Sequence, residues 1–407
     1  MKCRYCSTLL HDLFLDLGSA PPSNAFLTAS DLNAPELYFP LRLYTCTHCH
    51  LVQVDEEQKH DALFSSDYVY FSSYSRTWLA HAERYVTEAV RRLDLDANNL
   101  VLEVASNDGY LLQYVKARDI PCVGIEPTAS TAKVAGERGI ETLQHFFGER
   151  FAREFVATRR TADLVVANNV LAHVPDLNDF MAGLSTVLAA EGVVTVEFPH
   201  LLQLIAQRQF DTVYHEHFSY FSFHTVQKVF ASHGLRIWDV EELATHGGSL
   251  RLWACRNDAS HRQTPAVAAL LAKESAAGMF TMDYYHGFQQ SADETKNAFL
   301  AFLLDCKCND QRIVGYGAAA KGNTLLNYAG VRPDLLGYVV DASPHKQGLY
   351  LPGSRIPVVA ESRIRESRPD FVAILPWNLR EEIITQLDYI REWGGKFVTA
   401  VPTLLVD

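Results

Sequence analysis

Four cysteines near the start of the chain have the spacing of metal ligands. They form two Cys-x-x-Cys pairs, at Cys3 and Cys6 and at Cys46 and Cys49. Each pair lets one turn present two sulfurs to a tetrahedral ion, so two pairs can close a zinc site. His48 or His50 could replace one cysteine, and cysteines gathered by chance in a small core are the alternative. Because a closed four-ligand shell leaves no position for substrate, we expect a structural zinc.

A second group of candidate residues lies in segment 103–109, Glu-Val-Ala-Ser-Asn-Asp-Gly, between a predicted strand and a predicted helix. A dinucleotide site needs three glycines there, so that the backbone can approach a pyrophosphate, and this turn has only Gly109. Glu126 ends the next predicted strand, where a carboxylate can accept both ribose hydroxyls. Ribose recognition without a phosphate cradle suits S-adenosylmethionine. An ordinary strand–helix turn is the alternative.

The third group is the loop 214–220, Tyr-His-Glu-His-Phe-Ser-Tyr. It follows the last strand predicted before residue 199, so it should lie at the carboxyl edge of the sheet, where open α/β domains bind ligands. Histidine titrates near neutrality, so His215 and His217 suit proton transfer. Glu216 and His217 would point to opposite faces of a regular strand, so they can share a pocket only if the backbone is irregular. A second metal site and a polar surface loop are the alternatives.

The fourth group has the fuller Gly-x-Gly-x-x-Ala pattern, at Gly315, Gly317 and Ala320, with Asp341 ending the following strand. Its N–H groups could hold a diphosphate, and Lys321 adds positive charge. Alone, the pattern suggests a nicotinamide-dependent dehydrogenase. Beside a methyl-donor site, it could hold the diphosphate of a nucleotide-linked substrate. Glycines that serve only helix–strand packing are the third interpretation.

Two blocks of alternating strands and helices would position these residues. In the first block a helix begins after Ser75 as N-cap, strands are predicted at 100–104, 122–125, 163–167 and 192–198, and helices near 109–118, 128–138 and 176–190. An irregular stretch at 199–224 is followed by a helix and two strands ending near 256. The second block has helix over 260–305 and strands near 312–316, 335–340, 371–375 and 396–400. Buried strands separated by helices predict parallel sheets covered on both faces.

Composition limits the possible partners and compartment. A length of 407 residues suggests two or three domains. Acidic residues outnumber basic ones, 48 to 36, which argues against nucleic acid or an anionic membrane as a partner. No apolar run approaches the roughly 18 residues of a membrane span. The N-terminus lacks the apolar core of a signal peptide, so we expect a reducing cytoplasm.

Together, these motifs resemble the sugar C-methyltransferases that act on nucleotide-linked 4-keto-deoxysugars in bacterial pathways to branched deoxysugars. The resemblance covers essentially the whole chain. It depends on the cysteine pairs and on the segments DYVYFSS at 67–73, YHEH at 214–217, HGGSLR at 246–251 and YGAAAKGN at 316–323. It implies an α/β protein with a zinc-binding knuckle at 1–70, a central class I S-adenosylmethionine-dependent methyltransferase domain at 71–258, and a Rossmann-like domain at 259–407 that helps bind the nucleotide-sugar.

The resemblance also implies roles for individual residues. The general base would be His217 with Glu216 as its neighbour, and the other pocket residues would be Tyr68, His173 and Tyr214. The methyl donor would be bound by Glu103, Ala105, Ser106, Asn107, Gly109, Glu126 and Asn168. The substrate would be bound by Ser73, His246, Arg251, Tyr316, Lys321 and Asn323.

The expected reaction is methylation of C-3, the carbon beside the keto group, in a dTDP-linked 4-keto-deoxysugar. His217 would remove the proton from this carbon, and Tyr68, Tyr214 and His173 are candidates to stabilise the enolate oxygen. The alternatives are an O- or N-methyltransferase of a sugar or small molecule, an NAD-dependent dehydrogenase that uses the Gly315 loop, and a non-catalytic zinc module.

Overall fold

The computed structural model describes residues 1–55 and 71–407. Near the N-terminus, the strands are β1 (Asp12–Ala20), β2 (Phe39–Thr45) and β3 (Val52–Val54). They form an antiparallel sheet in the order β1-β2-β3. Two of these strands, β1 and β2, fill the interval between the cysteine pairs.

The central elements alternate between helix and strand up to the last two strands. In chain order they are α1 (Arg76–Leu93), β4 (Val101–Val104), α2 (Leu112–Lys116), β5 (Cys122–Ile125), α3 (Ala129–Glu137), β6 (Thr142–Leu143), α4 (Glu149–Thr158), β7 (Ala162–Asn168), α5 (Leu177–Val187), β8 (Leu188–Pro199), α6 (Leu201–Ala206), β9 (Ser219–Tyr220), α7 (Phe223–Ala231), β10 (Leu235–Leu243) and β11 (Ser249–Arg256).

Seven of these strands form one sheet in the order β10-β11-β8-β7-β4-β5-β6. The strands β4 to β8 pair in parallel, and β11 lies antiparallel to both of its neighbours. Almost every residue of β4, β5 and β7 is buried, as expected for a sheet with helices on both faces. The carboxyl ends of β4, β5, β7 and β8 therefore share one edge of the sheet.

The predicted start of α1 is confirmed. The Ser75 hydroxyl accepts a hydrogen bond from the Trp78 N–H, which is the N-cap interaction expected for serine. The buried face consists of Ala82, Tyr85, Val86 and Ala89, the helical spacing seen in the sequence.

The C-terminal elements form a second doubly wound unit. They are α8 (Pro265–Ala277), α9 (Phe288–Cys308), β12 (Ile313–Tyr316), α10 (Ala320–Tyr328), β13 (Val339–Val340), β14 (Val358–Val359), α11 (Ser362–Ser367), β15 (Phe371–Ile374), α12 (Arg380–Gln386), β16 (Lys396–Thr399) and β17 (Leu405–Val406). The sheet order is β14-β13-β12-β15-β16-β17, which is the 3-2-1-4-5-6 order of a dinucleotide-binding fold with an antiparallel last strand. The predicted fold class is confirmed.

Three sequence predictions were wrong in detail. The helix predicted over 260–305 is two helices, because Gly278 has a φ of 94° and ends α8. The stretch 199–224 contains α6 and β9 rather than irregular backbone alone. The strands β14 and β17 were not predicted, because a two-residue strand carries no periodic signal.

The strand β9 belongs to the N-terminal sheet, although it follows β8 in the chain. Tyr220 pairs with Val52, and Ser219 pairs with Gln53. The edge of the zinc-domain sheet is thus completed by residues of the predicted catalytic loop. In the portions of the chain that are described, no helix combines the length and apolar character needed to traverse a bilayer.

A buried carboxylate joins α7 to α8. Glu274 Oε1 and Oε2 accept hydrogen bonds from the backbone N–H groups of Phe223 and His224, at 2.6 and 2.8 Å. The Nε2 atom of His200 lies 2.7 Å from Glu274 Oε1. The Glu274 side chain therefore caps the first turn of α7, where the N–H groups have no partner inside the helix.

We expect Glu274→Ala to lower the free energy of unfolding by about 3–5 kcal/mol, because it leaves buried donors without an acceptor. Urea unfolding followed by circular dichroism measures this loss. The control is Lys273→Ala, which removes an exposed ion pair with Glu242 and should cost less than about 1 kcal/mol. Equal losses in the two variants would contradict the assigned role of Glu274.

Candidate active site

The four N-terminal cysteines converge on a single point. All four Sγ atoms lie within 4.8 Å of one another, and three of the pairs are 3.5 to 3.7 Å apart. A tetrahedral ion with Zn–S bonds of about 2.3 Å would place its sulfurs about 3.8 Å apart, so the arrangement fits zinc. None of the four cysteines forms a disulfide.

The neighbours of this zinc site clarify which residues are ligands. Gln53 donates from Nε2 to Cys3 Sγ at 3.3 Å, an outer hydrogen bond of the kind that orients a ligand. His48 is exposed, and the His50 ring contacts His224 and Tyr285 instead. Across residues 1–55 and 71–407, the four cysteines form the one group positioned for a metal. The prediction of a four-cysteine site is confirmed, and the predicted alternative of a second metal at the 214–220 loop is not supported within those residues.

The turn after β4 has three residues in the left-handed conformation that glycine favours, and one of the three is a glycine. Ala105, Asn107 and Gly109 all have positive φ, at 56°, 50° and 75°. L-residues pay about 1–2 kcal/mol for this conformation. Gly109 has a further constraint, because a Cβ there would lie 2.4 Å from Ile140 Cδ1. Alanine and asparagine at the first two positions therefore do not change the path of this turn.

The carboxylates of this turn form an acidic pocket. Burial, followed by the charges of Glu126 and Asp108, holds the pKa of Glu103 well above its usual value. Glu126 accepts hydrogen bonds from the N–H groups of Asn107 and Thr128, both at 2.9 Å, which fixes its carboxylate at the end of β5. A ligand that carries a positive charge would relieve this repulsion.

Several buried polar atoms around this pocket lack a protein partner. Within the described residues, no hydrogen bond is formed by Glu103 Oε2, Ser106 Oγ, Asn168 Oδ1 or Asn169 Oδ1. Buried polar atoms are normally paired, so unpaired ones mark a place for a polar ligand. The residues present therefore fit an adenosine with a sulfonium group, as S-adenosylmethionine has.

The loop Val213–Phe218 is irregular, and hydrogen bonds from three parts of the chain hold it. The Phe218 N–H donates to the Ala172 carbonyl at 2.7 Å, and the Phe218 carbonyl accepts from Val54 N–H of β3. At the other end, Thr324 Oγ1 of α10 donates to the Val213 carbonyl at 2.8 Å. The irregular backbone that the sequence analysis required is present.

His217 is buried in the middle of this loop. Its Nδ1 lies 3.1 Å from the Thr212 carbonyl oxygen, so Nδ1–H is the donor and Nε2 is the acceptor nitrogen. Its ring centroid lies 4.0 Å from that of Tyr214 and 4.6 Å from that of His173. Burial, with the nearby His173, lowers the pKa of His217 well below the usual value, so the imidazole is neutral near pH 7.

Glu216 is also buried, and it is bound by a residue of the N-terminal domain. The Asn24 side-chain amide donates to Glu216 Oε1 and Oε2, at 2.9 and 3.0 Å. Burial raises the pKa of Glu216 to about 7, and the Asn24 hydrogen bonds oppose that rise. The Glu216 backbone carbonyl accepts a hydrogen bond from His173 Nδ1 at 2.8 Å.

Lys321 brings positive charge from α10 toward this loop. Its Nζ donates to Asn378 Oδ1 at 2.7 Å and lies 4.8 Å from the Trp377 ring centroid. Trp377 Nε1 donates to the buried Asp211 carboxylate at 2.8 Å. Burial raises the pKa of Asp211 to about 6, and the charge of Lys321 opposes that rise.

The glycines of the C-terminal loop serve packing. A Cβ on Gly317 would lie 2.5 Å from Pro376 Cδ, and one on Gly315 would lie 2.8 Å from Val339 Cγ2. The Asp341 carboxylate accepts from Ala318 N–H at 2.8 Å, and Lys346 Nζ donates to the Ala318 carbonyl. The amides of residues 317 to 319 thus donate within the protein, so the expectation that they hold a diphosphate is not supported.

Comparison with known proteins identifies the family. The chain is 34% identical over 404 residues to C-methyltransferase NovU of Streptomyces niveus, covering 98% of this chain and 95% of that protein. The chain belongs to the C-methyltransferase family.

Three family models match successive parts of the chain. A model described as a zinc binding domain matches residues 3–64, a methyltransferase domain matches 78–240, and a C-methyltransferase C-terminal domain matches 244–402. This C-methyltransferase therefore combines a zinc site of four cysteines with an S-adenosylmethionine-dependent methyltransferase fold.

Two solved structures overlap with part of the chain. One is the PH0226 protein of Pyrococcus horikoshii OT3, with 14% identity and a TM-score of 0.38 over 46% of this chain and 95% of that one. The other is magnesium protoporphyrin IX methyltransferase of Synechocystis PCC 6803, with 15% identity and a TM-score of 0.33 over 48% of this chain and 88% of that one.

The structure brings together some of the predicted site residues of this C-methyltransferase. Tyr214, His217 and His173 are in contact, and His246 and Lys321 are close enough to affect the pKa of His217. Tyr68 lies outside the described residues.

Four residues predicted to bind substrate lie in other contacts. Arg251 is buried in an ion pair with Glu197, Tyr316 donates to Glu361, and the Asn323 side chain donates to the Ser23 carbonyl. Ser73 donates to Asp108 beside the donor turn. These four side chains hold other parts of the protein in place.

Three residues at the site were missed by the sequence analysis, namely Asn24, Asp211 and Trp377. Asn24 follows Pro21-Pro22, which indicates a turn but no chemistry. Asp211 lies within the stretch that was interpreted as irregular. What marks it as a candidate functional residue is that its carboxylate is buried. That burial depends on the C-terminal domain, so no local pattern could show it.

We expect Cys46→Ser to abolish stoichiometric zinc binding and to lower the free energy of unfolding by several kcal/mol, because metal binding is coupled to folding. Elemental analysis and thermal unfolding measure the two effects. The control is Cys308→Ser, an exposed thiol away from the site, which should keep its zinc. A Cys46→Ser protein with full zinc content would contradict the assignment.

We expect Glu216 to make stability depend on pH. Its pKa rises from 4.5 in the unfolded chain to about 7 in the folded protein, so the folded state favours the protonated carboxyl. The stabilisation is complete below pH 4.5 and is lost as the pH rises through 7, a change of about 3 kcal/mol. Urea unfolding of wild type and Glu216→Gln between pH 4 and 9 measures this difference, and parallel curves would contradict it.

Proposed function

We propose that this C-methyltransferase methylates C-3 of a dTDP-linked 4-keto-deoxysugar, with His217 as the general base. The observation that carries the proposal is the state of His217. It is buried and neutral, and the hydrogen bond from Nδ1 to Thr212 leaves Nε2 as the nitrogen that can accept a proton. The sugar and its nucleotide come from the sequence resemblance, and the C-methyltransferase relative supports transfer to carbon.

Proton removal from carbon requires stabilisation of the charge that develops on the keto oxygen. A hydrogen on the carbon beside a ketone is acidic because the enolate places its charge on oxygen, but His217 is a much weaker base than the enolate. Donors aimed at that oxygen must make up the difference. Tyr214 and His173, whose rings contact His217, are the described candidates, and Tyr68 is the third.

Burial at this edge of the sheet keeps water from competing with the substrate. His215, Glu216 and His217 are each less than 10% exposed. Holding the reactants aligned in such a site supplies much of a rate acceleration. When bound, S-adenosylmethionine supplies an electrophilic methyl group that an enolate carbon can attack. Glu103, Ser106, Glu126 and Asn168 would hold it.

We assign domains at 1–70, 71–258 and 259–407. The third domain would contribute to nucleotide-sugar binding through Lys321 on α10, the helix whose Thr324 donates a hydrogen bond to the Val213 carbonyl. His246, on the turn before β11, would lie at the same site, since its charge is among those that lower the pKa of His217. Four thiolates that must remain reduced suit the cytoplasm.

We expect His217→Ala to lower methyl transfer by a factor of about 10² to 10⁴, because it removes the general base. The assay uses a dTDP-4-keto-deoxysugar with methyl-labelled donor, and measures deuterium exchange at C-3 without donor. The control is His215→Ala, since the His215 side chain contacts the Phe39 carbonyl instead of the His217 ring.

Two results would contradict the proposal. If His217→Ala keeps most of the methyl-transfer rate, His217 is not the general base. Methylation of a hydroxyl or amine by the wild type, with no exchange at C-3, would instead indicate an O- or N-methyltransferase.

A further inference from the structure

Asn24 connects the zinc-binding domain to the centre of the active site. Its side-chain amide donates to both oxygens of Glu216, although the two residues are 192 positions apart in the chain. Asn24 is exposed, whereas Glu216 is 4% exposed. The amide therefore lies on the solvent side of a buried carboxylate and approaches it from a different domain.

The segment that carries Asn24 is fixed on both sides. The carbonyl of Ser23 accepts a hydrogen bond from Asn323 Nδ2 at 2.6 Å. Three residues after Asn24, Leu27 and Tyr350 exchange two backbone hydrogen bonds of 2.9 and 2.8 Å. Because the C-terminal domain holds this segment at both points, Asn24 has a defined position relative to Glu216.

Two effects act in opposite directions on Glu216. Burial favours the neutral carboxyl, and the Asn24 amide favours the carboxylate, so the pKa is about 7. Among the described residues, titratable groups on and beside the loop are His215, His217 and Tyr214. Others lie on elements packed against it, namely His173, Asp211, Tyr220, His246 and Lys321. Among described residues, Asn24 is the side chain whose hydrogen bond acts on Glu216.

We propose that Asn24 is a positioning residue that orients Glu216 in the active site and favours its carboxylate form through its two N–H···O hydrogen bonds. An ionised Glu216 can accept a hydrogen bond from a sugar hydroxyl and so hold the reacting carbon near His217. This proposal depends on the proposed function for its consequence in catalysis, but the contact itself does not. The zinc-binding domain thereby contributes a side chain to the site besides stabilising the fold.

The first test measures the pH dependence of kcat/KM with the keto-sugar in wild type, Asn24→Ala and Asn24→Asp. We expect the acid limb to move to higher pH by about one unit in Asn24→Ala, since the carboxylate loses its donors. It should move further in Asn24→Asp, because a like charge disfavours ionisation. The control Asn33→Ala, an exposed asparagine of the same domain, should match wild type. An unshifted profile, or a uniform loss of rate at every pH, would overturn the proposal.

The second test needs no substrate. The free energy of unfolding is measured for wild type and for Asn24→Ala, each with and without Glu216→Gln. As the pH rises, the difference caused by Glu216→Gln should stop falling near pH 7 in wild type and about one unit higher in Asn24→Ala. If Asn24→Ala shows this shift but wild type methylates no keto-sugar, the role of Asn24 is supported and the proposed function is rejected. Active wild type with no shift in Asn24→Ala would reject the role of Asn24.

Discussion

The structure depends on the hydrogen bonds that hold the loop Val213–Phe218. This loop is part of no helix or long strand, so its backbone groups must find partners elsewhere. Those partners come from β3 of the zinc-binding sheet, from the turn at Leu171–His173, and from Thr324 of the C-terminal domain. The same loop carries His217 and Glu216, so the geometry of the proposed site is fixed by the meeting of all three domains.

Local sequence patterns were sufficient for the metal site and for most of the central fold. Cys-x-x-Cys spacing, the Ser75 cap and the buried strands are all short-range signals, and the structure has the four-cysteine cluster, α1 and the strands β4, β5, β7 and β8 close to the predicted positions. Short-range patterns also located the two carboxylates of the donor site, since Glu103 and Glu126 lie at the ends of adjacent parallel strands.

Short-range patterns do not predict contacts between residues that are far apart in the sequence. Asn24 contacts Glu216 although the two residues are 192 positions apart, and the buried Asp211 accepts a hydrogen bond from Trp377 of the C-terminal domain. Arg251 and Tyr316 have residue types that suit substrate, yet carboxylates on neighbouring elements engage them, Glu197 for Arg251 and Glu361 for Tyr316. The sequence of the Gly315 loop left packing and phosphate binding open, because the close approach of Pro376 and Val339 to its glycines depends on distant parts of the chain.

Because β9 pairs with β3, Ser219 and Tyr220 belong to the sheet of the zinc-binding domain although they follow β8 in the sequence. A chimera that exchanged the first seventy residues for those of a relative would keep Ser219 and Tyr220 from the recipient, and these would have to match an unfamiliar edge. Domain exchanges designed to change substrate specificity should therefore transfer residues 213–220 together with the N-terminal segment.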